Sequence, residues 1–176
     1  MRVGRVGWAL ALGALAAALG AGTASAERGV RVGQRAPDIA GGPWINSEPL
    51  SLAALQGRVV LVAFWTYGCY NCKNVVPALR EWHARYRERG LTIVGVHTPE
   101  FAWEKPLDKV AAAARDLGIR YPVVQDNDYA IWRRYANWAW PSAVLIDRAG
   151  VVRYTHVGEG EYARTEQVIQ ELLAER

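Results

Sequence analysis

The chain has 176 residues, 51% of them hydrophobic, with eight tryptophans and a net charge of +4. That is about one domain's length, with enough apolar material for a core. Setting aside Arg2 and Arg5 leaves 19 basic against 17 acidic residues, and no basic patch is interleaved with aromatics, which argues against a nucleic-acid partner.

Residues 1–26 read as a secretory signal. Arg2 and Arg5 form a basic start, Val6 to Ala26 carries no charge, and Ala24-Ser25-Ala26 offers a small-residue cleavage site before Glu27. The rival reading is an uncleaved anchor, because the charge-free stretch approaches spanning length. Gly20, Gly22, Thr23 and Ser25 make its second half a poor membrane helix. On either reading the domain, residues 27–176, is expected outside the cytoplasm, periplasmic or secreted, where disulfides persist.

Glu27 to Leu50 is rich in Gly and Pro, with apolar pieces at Val30–Val32 and Trp44-Ile45, and reads as an irregular or hairpin-forming lead-in. Ser51 to Leu55 gives about one helical turn, ended by Gly57. Val59 to Phe64 is an unbroken apolar run, the pattern of a strand buried on both faces. Cys72, Val75, Val76, Leu79, Trp82 and Tyr86 then recur at helical spacing to about Arg89, where Gly90 stops the helix. Pro77 lies inside it and is expected to kink it.

Leu91 to Val96 is the next strand, leading into His97-Thr98-Pro99-Glu100. Leu107, Val110, Ala111, Ala114 and Leu117 mark an amphipathic helix ending at Gly118. Tyr121 to Val124 is a short extended piece, and Asp128 to Tyr135 a short helix with Ile131, Trp132 and Tyr135 inward. Trp140-Pro141 leads into Ser142 to Asp147. A turn ending at Gly150 joins this to Val151–Val157, whose alternation marks a half-exposed strand. Val168, Ile169, Leu172 and Leu173 place a last helix. The order demands parallel strands joined by right-handed crossovers, then an antiparallel hairpin. The expected fold is therefore α/β, a mixed central sheet flanked by helices on both faces. Sites in such sheets gather at the carboxyl ends of parallel strands, which puts Cys69 and His97 on one rim.

Cys69 and Cys72 are the only cysteines, two residues apart. Cys69 stands where a buried strand hands over to a helix, and unpaired N–H groups and the helix dipole there favour a thiolate, the form that attacks disulfides. This predicts a dithiol/disulfide redox site. A structural staple would close a longer loop, since longer loops remove more entropy from the unfolded chain. Zinc needs two more ligands, and His83, His97 and His156 are scattered singly, so no metal is expected. Lys73 in place of His excludes the usual c-type haem attachment pattern.

These features resemble the thioredoxin superfamily, and more closely its exported TlpA/ResA-like branch. The match rests on Trp65 four residues before Cys69, Lys73 after Cys72, Pro77 five residues after Cys72, and Trp140-Pro141 before a core strand. Gly95–Phe101, Tyr121–Tyr129 and His156–Gly160 are similar to the thioredoxin-like domain at the C-terminus of DipZ proteins. The resemblance implies a thioredoxin-like fold, a cis-proline at Pro141, and dithiol/disulfide exchange with no cofactor beyond the Cys69–Cys72 pair. It makes Cys69 the nucleophile and Cys72 the resolving thiol. Pro141 lies against the pair, with Trp65, Tyr70, Asn71 and Trp140 supporting it or lining the substrate groove. The expected partners are protein or peptide dithiols and disulfides, with a membrane or exported electron-transfer partner.

The chain also departs from these relatives. Many thioredoxins carry a buried Asp two residues before the active-site Trp, where this chain has Ala63, and TlpA/ResA-type proteins carry a Glu where it has Val75. The proton acceptor for Cys72 is therefore sought elsewhere, and the strand-end position of His97 and Glu100 makes them candidates. Two other functions are weighed. A peroxiredoxin-like peroxide reductase would place its nucleophile in a P-x-x-x-T-x-x-C pattern; Thr66 fits, but Val62 holds the Pro position. A dithiol copper carrier would use the two thiolates with His97.

Overall fold

A computed structural model describes Met1 and residues 28–175. The expected signal or anchor falls on residues outside that range. Among the described residues no helix is long and apolar enough to cross a membrane.

Among the described residues six strands form one sheet in the order β1-β4-β3-β2-β5-β6. They are β1 (Trp44–Ile45), β2 (Val59–Trp65), β3 (Leu91–His97), β4 (Val123–Gln125), β5 (Ser142–Ile146) and β6 (Val152–Val157). Strands β2, β3 and β4 are parallel, while β1, β5 and β6 pair antiparallel to their neighbours. Four helices accompany them: α1 (Tyr70–Tyr86), α2 (Leu107–Asp116), α3 (Ala130–Arg134) and α4 (Tyr162–Ala174). Single 3₁₀ turns at Arg87–Arg89 and Ala102–Glu104 follow α1 and precede α2. The expected α/β mixed sheet is the one found. The Val30–Val32 piece joins no strand; the lead-in meets the sheet through β1 and through a bridge between Arg35 and Val151.

Strand β2 is buried along its whole length because it sits at the centre of the sheet with both faces covered. Val59, Leu61, Ala63 and Trp65 face one core, filled by Cys72, Val76, Leu79 and Trp82 of α1, Ala114 of α2 and Val168, Ile169 and Leu172 of α4. Val60, Val62 and Phe64 face the other, closed by Ile131 and Tyr135 and by Ile39 and Leu55 of the lead-in. Period-two alternation thus turns one apolar run into the floor of two cores. Gly90 ends the α1 segment in the left-handed conformation (φ 108°), which spares it the Cβ clash another residue would meet. Pro77 lies within α1 without ending it.

Candidate active site

Cys69 and Cys72 are joined as a disulfide at the start of α1, with their Cα atoms 5.2 Å apart. Cys69 is the N-cap: its backbone is extended (φ −75°, ψ 121°) and its Sγ accepts the Cys72 N–H at 3.1 Å. The sulfur therefore sits where the unpaired amides of the first turn converge, and that turn carries no acidic side chain to oppose a thiolate. Cys69 is partly exposed and Cys72 fully buried. The asymmetry suits one sulfur to meeting substrate and the other to resolving it.

Between the cysteines, Tyr70 is 76% exposed and Asn71 is exposed too. The Trp140–Pro141 peptide is cis. Pro141 is buried and shares the lining of one apolar cavity with Cys72 and Trp65. Trp140 is fixed twice, by ring contact with Trp132 at 4.2 Å and by its Nε1–H donating to the Thr98 carbonyl at 3.0 Å. Asp126 locks this corner. Its carboxylate accepts the Ile131 and Trp132 amides, each at 2.9 Å, and the Thr98 hydroxyl at 3.2 Å, tying the end of β3 to α3.

His97 ends β3 directly beside Trp65 in register and is completely buried. Its ring stacks on Tyr67 at 5.6 Å and meets Trp65 edge-on at 5.2 Å, with Nε2 3.3 Å from Thr66 Oγ1. Burial drives its imidazole down to about 4, against a smaller upward pull from Glu104. His97 therefore packs as a neutral ring and does not line the cavity that Cys72 lines. Glu100 is exposed and meets the site only through its backbone N–H.

A carboxylate that sequence reasoning missed stands next to the site. Glu104 is wholly buried; its Oε1 accepts the Gly68 N–H at 2.9 Å, and its Oε2 accepts the Glu100 and Phe101 amides at 2.6 and 2.8 Å. It thereby pins the loop after β3 to the residue before Cys69. Gly68 is required there, since a Cβ would collide with Glu104 Oε1 and lie 2.6 Å from the Trp103 ring. The only sequence signal was a Glu at the third position of a short 3₁₀ turn, reaching back to the amide of Phe101, the residue that caps the turn. On the outer side, Tyr67, Trp103 and Phe101 form a ladder of rings at 5.3 and 5.8 Å. Trp103 is 56% and Phe101 50% exposed.

Comparison with known proteins agrees with this geometry. Residues 32–155 match the model of the AhpC/TSA family. The chain is 45% identical over 142 residues to protein DipZ of Mycobacterium tuberculosis, covering 78% of this chain and 20% of DipZ, so it spans about a fifth of that relative's length. It is 25% identical over 147 residues to the thiol-disulfide oxidoreductase YkuV of Bacillus subtilis, covering 83% of this chain and 99% of YkuV. Among solved structures, a thiol-disulfide isomerase from Corynebacterium glutamicum superposes with a TM-score of 0.70 at 25% identity, covering 80% of this chain and 98% of its own.

Proposed function

The chain belongs to the AhpC/TSA family; from that premise we propose that it is a thioredoxin-like thiol–disulfide oxidoreductase that reduces disulfides of proteins or peptides outside the cytoplasm. The cycle starts from the reduced pair. The Cys69 thiolate attacks a substrate disulfide, giving a mixed disulfide and one substrate thiolate. Cys72 then attacks Cys69 Sγ, closing the intramolecular disulfide and releasing the second substrate sulfur. Two electrons pass from the cysteine pair to the substrate, and a donor thiol system restores them.

The observation that carries the direction is Glu104. Strong oxidants of this class owe their potential to a stabilised reduced form. Here a buried carboxylate bonds the amide of Gly68, one residue before Cys69, and its negative charge opposes the thiolate favoured by the helix start. That shifts the balance toward a reductant. The signal-like start and the similarity to the C-terminal domain of DipZ proteins support an extracytoplasmic location and a membrane or exported electron donor.

The ladder of Tyr67, Trp103 and Phe101, the last two exposed, gives the site an apolar rim suited to an unfolded or extended protein segment. On this reading the backbone at Trp140, before the cis Pro141, pairs with such a segment as an added strand. The deciding experiment offers reduced wild type, Cys72→Ser and Cys69→Ser a peptide disulfide. Cys72→Ser should accumulate a mixed disulfide through Cys69, and Cys69→Ser should form none. Hydrogen peroxide consumption that outpaces disulfide reduction would move the assignment to the peroxide reaction instead.

A further inference from the structure

Resolution of the mixed disulfide needs Cys72 to lose its proton in a fully buried place. In the sheet, Gly95 of β3, Ala63 of β2, Ala143 of β5 and His156 of β6 are successive cross-strand partners. Residues opposite one another point to the same face, and Ala63 belongs to the core under α1. The row is thus three small residues closed by an imidazole. The Trp65 indole fills the end above Gly95, its Nε1 being 3.0 Å from where a Cβ would sit.

Over the rest of the row lies a cavity of about 40 Å³, lined by Cys72, Trp65, Pro141, Ala143, Tyr121 and His156 among others. That is room for one water, whose share of the liquid is about 30 Å³. Two residues that line the cavity each carry a buried nitrogen without a hydrogen-bond partner, His156 at Nε2 and Trp65 at Nε1. Trp65 itself is only 3% exposed. The other titratable groups on this cavity are Tyr121 and Tyr162, both phenols held above their ordinary value, chiefly by burial. No carboxylate lines it, though Glu159 acts on Tyr162 from nearby. Arg28 and Tyr135 border a separate cleft that His156 also touches. Glu104, the other buried acid at the site, has both oxygens committed to backbone amides.

We propose that His156 takes the Cys72 proton through this cavity during resolution, in the place where a buried carboxylate at position 63 would otherwise act. The proposal rests on the thiol–disulfide exchange described above. As the Cys72 sulfur attacks Cys69 Sγ, its proton passes by way of one water to His156 Nε2. The Cys69–substrate S–S bond breaks, the Cys69–Cys72 bond forms, and the substrate leaves as a thiolate. The imidazolium then returns the proton to that thiolate or to solvent, so that charge and electrons balance.

The test separates the two chemical steps by rapid mixing of the reduced protein with a peptide disulfide. In His156→Gln, formation of the mixed disulfide should keep its wild-type rate. Its resolution at pH 7 should slow by about 10²-fold, the low end of what a positioned acid–base group supplies, and recover at alkaline pH, where Cys72 ionises unaided. Resolution with a wild-type rate and pH profile would overturn the proposal while leaving exchange intact; failure of the first step in wild type would instead overturn exchange. A second measurement needs no change at His156. The imidazole titration followed by NMR should differ between oxidised and reduced protein, and Cys72→Ser, which lacks the buried thiol, should not reproduce the titration of the reduced form. Identical titrations in all three states would equally refute it.

Discussion

Glu104→Gln tests whether one buried carboxylate organises the site. The carboxylate serves three amides, Gly68 through one oxygen and Glu100 and Phe101 through the other. A glutamine has one acceptor oxygen, so it can keep one side of this arrangement and must turn its NH₂ toward the amide or amides on the other. A hydrogen bond to a charged group contributes about 1.5–3 kcal/mol, and a stranded buried donor costs about 1–3 kcal/mol. The substitution should therefore destabilise the oxidised protein by about 3 kcal/mol. For a domain of this size that lowers Tm by roughly 6–12 °C, at about 2–4 °C per kcal/mol. Thermal unfolding by circular dichroism reads the stability. The pH dependence of Cys69 alkylation in the reduced protein reads the electrostatics, and the thiol pKa should fall once the negative charge is gone. A Tm loss under about 2 °C together with an unchanged alkylation profile would refute the role given to Glu104.

Three further outcomes follow from the same geometry. Gly68→Ala should force Glu104 and the Trp103 ring aside, lowering stability and loosening the loop before Cys69, seen as faster amide exchange at Cys69 and Tyr70. Trp103→Ala should raise KM for peptide disulfides flanked by apolar residues while leaving reduction of glutathione disulfide near wild type, because only the longer substrate reaches the ring ladder. His97, held neutral by burial with its value lowered to about 4, binds its proton less readily when folded than when unfolded. Its contribution is complete above about pH 6.5 and is lost as pH falls toward 4, since the unfolded chain takes up the proton first. The loss should reach about 3 kcal/mol by pH 4, and His97→Gln should flatten that part of the stability curve in urea titrations.

The strands and helices were legible where periodicity was strong. The apolar run before Cys69 became the doubly covered β2, and the repeat from Cys72 to Tyr86 became α1. The handover between them marks the position of the cysteine pair in the sequence itself. What stayed hidden depends on pairings across the chain. Trp44-Ile45 reads as a stray apolar pair until β4 is found alongside it. Glu104 looks like an ordinary loop acid, and its burial comes from Gly68, 36 residues earlier in the chain. His156 sits in an alternating, half-exposed strand, and only the register through Ala143 to Ala63 puts it on the cavity that Cys72 also lines. His97 is the last residue of β3 and Glu100 lies just past it, but one is packed between aromatic rings and the other faces solvent.

The reduction potential of the Cys69–Cys72 pair bears most directly on a reducing role. Equilibration in glutathione and dithiothreitol buffers, with the thiol state read by alkylation, should give a value near or below about −250 mV, in the range of thioredoxin-like reductants. A value near about −120 mV would place the pair with the strong oxidants and contradict the direction argued from Glu104.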